Sequence, residues 1–255
     1  MAALLTSYDA FEAEHPDLSP PLLLGRPEGE GWVRLADLGS AGSVALAEAL
    51  RAMADVRGYP DPITIGASFA LITTGGPATQ IYRAAMGHPV PVLDPRTTWW
   101  RIKPSANVTA VAVEECSVSI EPERLDEALH LSLDSLYAEI HRQTRFPIRA
   151  QWSMLASTIG YGLVSLMADD HERAVELLDS LLANDTVLSG SRPRVTWWDD
   201  GGRRRAFTTR RVCCFNYRGR NGHYCSSQCP IVPAEDRLAS AIEQMRPADG
   251  RKRRP

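Results

Sequence analysis

Long apolar runs are missing from this chain of 255 residues. The most hydrophobic stretch, Met154 to Ala168, includes Ser, Thr and two Gly and is too short to cross a bilayer. It reads instead as a buried helix. The opening Met1-Ala-Ala-Leu-Leu runs into acidic residues, without the basic region and long apolar core of a signal peptide. An excess of one charge is lacking too. The net charge of −3 makes no whole-chain case for nucleic acid or an anionic membrane. Gly75-Gly76 lacks the Lys-Ser/Thr of a phosphate-binding loop. No His-Glu-x-x-His, Gly-x-Ser-x-Gly or complete dinucleotide fingerprint occurs. Direct NAD(P)H or flavin binding is therefore unsupported. The expectation is a soluble, cytoplasmic protein with no integral membrane segment and no nucleic-acid partner.

What is present is an ordinary globular composition, 44% hydrophobic and 23% charged. Residues 19–31 are rich in Pro and Gly and read as loop. Ser43 is placed to cap a helix carrying Leu46, Leu50 and Met53 on one face and ending near Gly58. Asp61-Pro62 is a second helix start, Gly75-Gly76-Pro77 a break, and a further helix is predicted from Pro77 to Met86. Thr97–Lys103 and Val108–Glu114, rich in Trp, Val and Thr, predict a β-hairpin. Helical periodicity then carries Leu125, Leu129, Leu133, Leu136 and Ile140, and next Ile148, Trp152, Leu155, Ile159 and Leu166. A third helix uses Ala174, Leu177, Leu178 and Leu181, with Asp169 and Glu172 as its capping box. Asp199-Asp200-Gly201-Gly202 predicts the turn of a second hairpin. A short helix is predicted over Ala234–Met245, and the basic tail 246–255 reads as disordered.

Cysteine is scarce and uneven. Of five, Cys116 stands alone and reads as a buried hydrophobe, while Cys213, Cys214, Cys225 and Cys229 fall within 17 residues. An odd count with one tight cluster argues against a disulfide framework and for a metal or redox site in a reducing compartment. Four thiolates can hold a [2Fe–2S] cluster, two on each iron, or one tetrahedral zinc. They can also stay unmetallated. Zinc sites favour two Cys-x(2–4)-Cys pairs, but here the first pair is adjacent, an unusual geometry for zinc. Side chains alternate along a strand, so Cys213 and Cys214 can share one site only where the chain turns. Gly219 and Gly222 permit tight turns and could bring N–H groups to the sulfurs. His223 is an alternative ligand, although four cysteines already complete a set. Trp99, Trp100, Trp197 and Trp198 read as packing residues rather than a substrate platform. Nine arginines lie between Arg192 and Arg220, against Asp199 and Asp200. They form either a solvated hairpin face or a field that raises a cluster's potential and steers an acidic donor or anionic chelate.

The segment Cys213-Cys214, ten residues, Cys225, three residues, Cys229-Pro230, with Tyr217-Arg218 in the gap, resembles the C-terminal signature of FhuF-type ferric-siderophore reductases. That family's pattern is Cys-Cys-x10-Cys-x2-Cys, and Ser226-Ser227-Gln228 makes the last spacing one residue longer here. The match covers Cys213 to Pro230. The helical stretch from Trp152 to Leu181 looks like the family's body by pattern alone. The resemblance implies an oxidoreductase with a [2Fe–2S] cluster on Cys213, Cys214, Cys225 and Cys229, reducing a ferric siderophore by one electron to release Fe(II). It also implies a protein electron donor, such as a ferredoxin or an NAD(P)H-dependent reductase. An iron or redox sensor and a zinc-stapled binding protein are the rival readings. The implied organisation is an α+β fold, mostly helical, with small antiparallel hairpins: a substrate-binding body over 1–205, a cluster-binding segment over 206–232, and the tail. Residues contacting substrate are not identifiable in the sequence.

Overall fold

A computed structural model describes residues 11, 13–15, 20–88, 90–103, 108–114, 125–183, 186–220 and 222–245. The fold is α+β. In chain order it runs β1 (Leu22–Leu24), β2 (Trp32–Arg34), α1 (Leu35–Leu38), α2 (Val44–Arg57), α3 (Pro62–Ile72), α4 (Gly75–Ala85), β3 (Thr98–Ile102) and β4 (Val108–Val113). It continues with α5 (Leu125–Thr144), α6 (Ile148–Leu166), α7 (His171–Ala183), α8 (Thr186–Ser189), β5 (Arg194–Asp200), β6 (Arg203–Thr209) and α9 (Ala234–Met245). Cys116, the first hairpin's turn at 104–107 and the tail 246–255 lie outside the described residues. Among the described residues no helix is long and apolar enough to cross a membrane.

Several helix ends follow from single side chains. Ser43 Oγ accepts the Leu46 N–H at 3.0 Å, and Gly58 closes α2 in the left-handed region. Asp61 accepts the Thr64 N–H at 2.9 Å, with Pro62 in the first helical position of α3. Two expected starts shift. Helix α4 begins at Gly75 rather than Pro77, because the first turn has no intrahelical use for the N–H that proline lacks. Asp170, not Asp169, caps α7 through the Arg173 N–H at 3.0 Å, so no Asp169–Glu172 box forms.

The first predicted hairpin is present as β3 and β4. It belongs to a larger mixed sheet of order β1-β4-β3-β2, in which β1 runs parallel to β4. Neither β1 nor β2 was expected, since each is three residues long inside loop-like sequence. Trp100 on β3 is fully buried, while Trp99 points the other way and donates its Nε1–H to Glu114 at 2.6 Å. Helices α5 and α6 fill the middle of the core with Leu133, Leu136, Tyr137, Ile140, Trp152, Leu155 and Ile159. Ile148, expected on that stripe, is exposed. Glu139 on α5 is nearly sealed from solvent. It accepts the Ser43 N–H at 3.1 Å and ion-pairs with Arg142 at 2.6 Å, tying α5 to the start of α2.

Candidate metal centre

The second hairpin carries the chain to the cysteines. Its seven-residue strands are joined by Gly201 and Gly202, both at positive φ, the two-residue loop that suits twisted strands. The inner end of β6 is clamped from behind. Ala206 N–H donates to His171 Nδ1 at 2.7 Å, and burial, with Arg205 nearby, holds that imidazole below its ordinary pKa. At Gly160 on α6 an added Cβ would meet Pro193 at 2.9 Å and Thr208 at 3.3 Å, so helix and hairpin are in close contact. From Ala206 to Arg210 every residue is buried.

The chain then turns. Phe215 sits in the left-handed region at φ 54°, an uncommon conformation for an aromatic residue, immediately after the adjacent cysteines. Its N–H donates to Cys213 Sγ at 3.3 Å. Cys214 is buried against Ala67 and Ala70 of α3, Phe146, and Met154 of α6. The spacer between Cys225 and Cys229 closes as a 3-10 turn, with Ser226 also left-handed, and Cys225 meets Cys214. Cys214 and Cys229 are buried, Cys213 and Cys225 half-buried, and all four are free thiols.

The sulfurs interact. Cys214 Sγ and Cys225 Sγ are 3.3 Å apart. The hydrogen bond from Cys225 and the nearby Arg210 lower Cys214 to about 6, while the same bond and burial push Cys225 up. Burial and the neighbouring Cys214 and Cys229 also raise Cys213. Among the described residues no three His, Cys, Asp or Glu side chains close to the spacing of a single metal ion.

Two docking surfaces hold the loop. Its first half rests on the junction between α2 and α3: Arg220 N–H donates to Arg57 O at 2.8 Å, Tyr59 Oη–H to Asn216 at 3.1 Å, and Arg218 pairs with Asp61 at 3.0 Å. Gly219 and Gly222 provide clearance rather than sulfur contacts. Their N–H groups go to Asn216 O and Gly219 O, and a Cβ at Gly219 would lie 2.9 Å from both Arg57 O and the Tyr59 ring. The second half is braced by β6 and α9: Arg210 N–H donates to Gln228 O at 3.1 Å, and Ser227 Oγ–H to Gln244 at 3.1 Å. At the rim, Tyr217 and Tyr224 stack with centroids 5.2 Å apart, and His223 is exposed.

The charge around the site differs from the sequence window. Arg192 pairs with Asp179, Arg204 with Glu172, Arg205 with Asp200 and Arg218 with Asp61, most of these acids coming from other segments. Arg210 is set apart by its burial. It is only 6% exposed, its Nη2 lies 3.8 Å from Cys214 Sγ, and its Nε has no hydrogen-bond partner. Sequence reasoning counted it as one of nine and missed its burial. The only local hint was its place between a buried strand end and the first cysteines.

No family model matches the chain, and no curated protein matches it. The donor set itself fits a thiolate-ligated centre: four free thiols, a backbone N–H on one sulfur, and a buried cation with no carboxylate beside it. Tetrahedral ligation at a metal–sulfur length of about 2.3 Å sets paired sulfurs about 3.8 Å apart. Cys214 and Cys225 are within about half an ångström of that spacing.

Proposed function

We propose that this protein is a cytoplasmic ferric-siderophore reductase of the FhuF type, in which Cys213, Cys214, Cys225 and Cys229 hold a [2Fe–2S] cluster. When bound, that group supplies a one-electron carrier. The observation that supports the reading is the loop itself: four free thiols at a spacing one residue longer than the family's, with Cys214 Sγ 3.3 Å from Cys225 Sγ and 3.8 Å from the buried guanidinium of Arg210. Siderophores hold Fe(III) through hard, anionic oxygens. One electron gives Fe(II), which is larger, less charged and poorly held by the same donors. The chain therefore needs no general acid or base at the substrate.

Its residues have three tasks. The buried pair Cys214 and Cys229 fixes the inner side of the site, and Cys213 and Cys225 reach toward its half-exposed side. The Ala67, Ala70, Phe146 and Met154 packing keeps water from Cys214. The stacked Tyr217 and Tyr224 form an exposed aromatic rim on which a chelate or a protein donor can approach. Electrons come from a separate protein such as a ferredoxin or an NAD(P)H-dependent reductase.

The test is anaerobic purification with iron, sulfide and zinc analysis, visible spectra before and after dithionite, and stopped-flow mixing of the reduced protein with ferric hydroxamate and ferric catecholate chelates. A reddish-brown protein that bleaches on reduction and is reoxidised by a chelate is the expected result. Stoichiometric zinc without colour overturns the cluster. A reducible cluster that no chelate reoxidises overturns the reductase and favours a sensor.

A further inference from the structure

We infer that Arg210 is the internal counter-ion of the centre and sets its potential, an inference that rests on the cluster reading above. A guanidinium cannot relieve burial by losing its proton, as a lysine can, so a buried arginine must find an anion. The other arginines between Arg192 and Arg220 stay at least partly accessible to solvent, and four of them pair with Asp or Glu. Arg210 is buried, and among the described residues no carboxylate reaches it. Its guanidinium meets the sulfur of Cys214, while its own N–H is bonded to Gln228 O, one residue before Cys229. It therefore stands between Cys214 on one side and the segment that leads into Cys229 on the other.

Four thiolates outweigh the positive charge of an iron–sulfide core, so the centre is anionic, and an electron taken from the donor makes it more so. A fixed cation in a low-dielectric site stabilises both states and the reduced one more, which raises the potential. An exposed arginine would be screened by water and salt. Arg210 is shielded from both, so its effect should persist at high ionic strength.

The experiment compares wild type, Arg210→Met and Arg210→Lys as purified full chains, by iron and sulfide content and by redox titration followed by visible absorbance and electron paramagnetic resonance, at low and high salt. The expected result is a full iron complement with the Arg210→Met potential lowered by about 59 mV or more, a tenfold shift in the one-electron equilibrium, at both salt levels. Arg210→Lys should recover most of the loss. If Arg210→Met loses its iron while Arg210→Lys keeps it, the charge requirement also stands. An unchanged potential in iron-loaded Arg210→Met, or loss of iron from both variants alike, overturns the counter-ion role while leaving the cluster reading intact. Wild-type protein without iron and sulfide overturns both.

Discussion

Cys213 and Cys214 are neighbours in the chain but differ in surroundings. Cys214 is 2% exposed and meets Cys225 across the site, whereas Cys213 is half-buried and takes the Phe215 N–H. Replacing Cys214 or Cys229 with Ser should abolish the cluster, read as loss of iron, sulfide and visible colour. Full retention in either variant would show that the ligand set is wrong. Gly219→Ala tests the loop rather than the ligands. The new methyl meets the Arg57 carbonyl and the Tyr59 ring at 2.9 Å, so the loop must lift from Arg57 and Tyr59. A cost of about 1–3 kcal/mol is expected in denaturant titrations, with lowered iron occupancy. A variant with wild-type stability would mean that this docking contributes little. That four cysteines lie in one loop was legible, because it is a matter of residue type and spacing. Arg210 was not, because its significance is burial, and that depends on residues 226–229 folding back across it.

At the scale of elements, the signals that were read correctly are local. Ser43, Gly58 and Asp61 each act within four residues of the end they mark, and Gly201-Gly202 closes a hairpin by its own backbone freedom. Strands β1 and β2 were not legible because their pairing with β4 and β3 is non-local and three residues carry too little pattern. The bond between α5 and α2 is non-local too, and it is testable. Arg142 first, then Gln143 and the Ser43 N–H, hold Glu139 down to about 2 despite its burial. The unfolded chain therefore binds this proton more readily than the folded one. The stabilisation is fully present above the unfolded carboxyl's pKa of about 4.3 and is lost as pH falls through about 2. Glu139→Gln should cost about 2 kcal/mol at pH 7, a value reduced for the solvent screening of half-exposed Arg142. The gap between variant and wild type should narrow steadily in urea titrations taken from pH 5 toward pH 2. Equal stability at neutral pH would remove this tie from the account.

Across the whole molecule, electrostatics separates fields that act inside the site from fields that reach a partner. Read as a window, the nine arginines formed a strongly basic patch. In the fold, Asp179 and Glu172 of α7, Asp200 of the hairpin and Asp61 before α3 each neutralise one, and Arg210 is withdrawn into the interior. Among the described residues this leaves Arg194, Arg203, Arg211 and Arg220 exposed without a carboxylate partner. They are not equivalent. Arg203 is at the hairpin tip, next to Gly202, while Arg194 pairs with Thr209 at the opposite end. Arg211 precedes the first cysteines and Arg220 lies in the loop between the pairs. Steering of an acidic donor should therefore depend on Arg194, Arg211 and Arg220. With a reduced plant-type ferredoxin as donor, the second-order rate of cluster reduction should fall about tenfold between low salt and 1 M, where the screening length shrinks to about 3 Å. The double variant Arg211→Gln/Arg220→Gln should be slower at low salt, converge on wild type at high salt, and keep its reduction potential. Arg203→Gln should follow the wild-type curve. A wild-type rate indifferent to salt would remove steering altogether, and an equal effect from Arg203 would mean that net charge, rather than its placement beside the cysteines, attracts the donor.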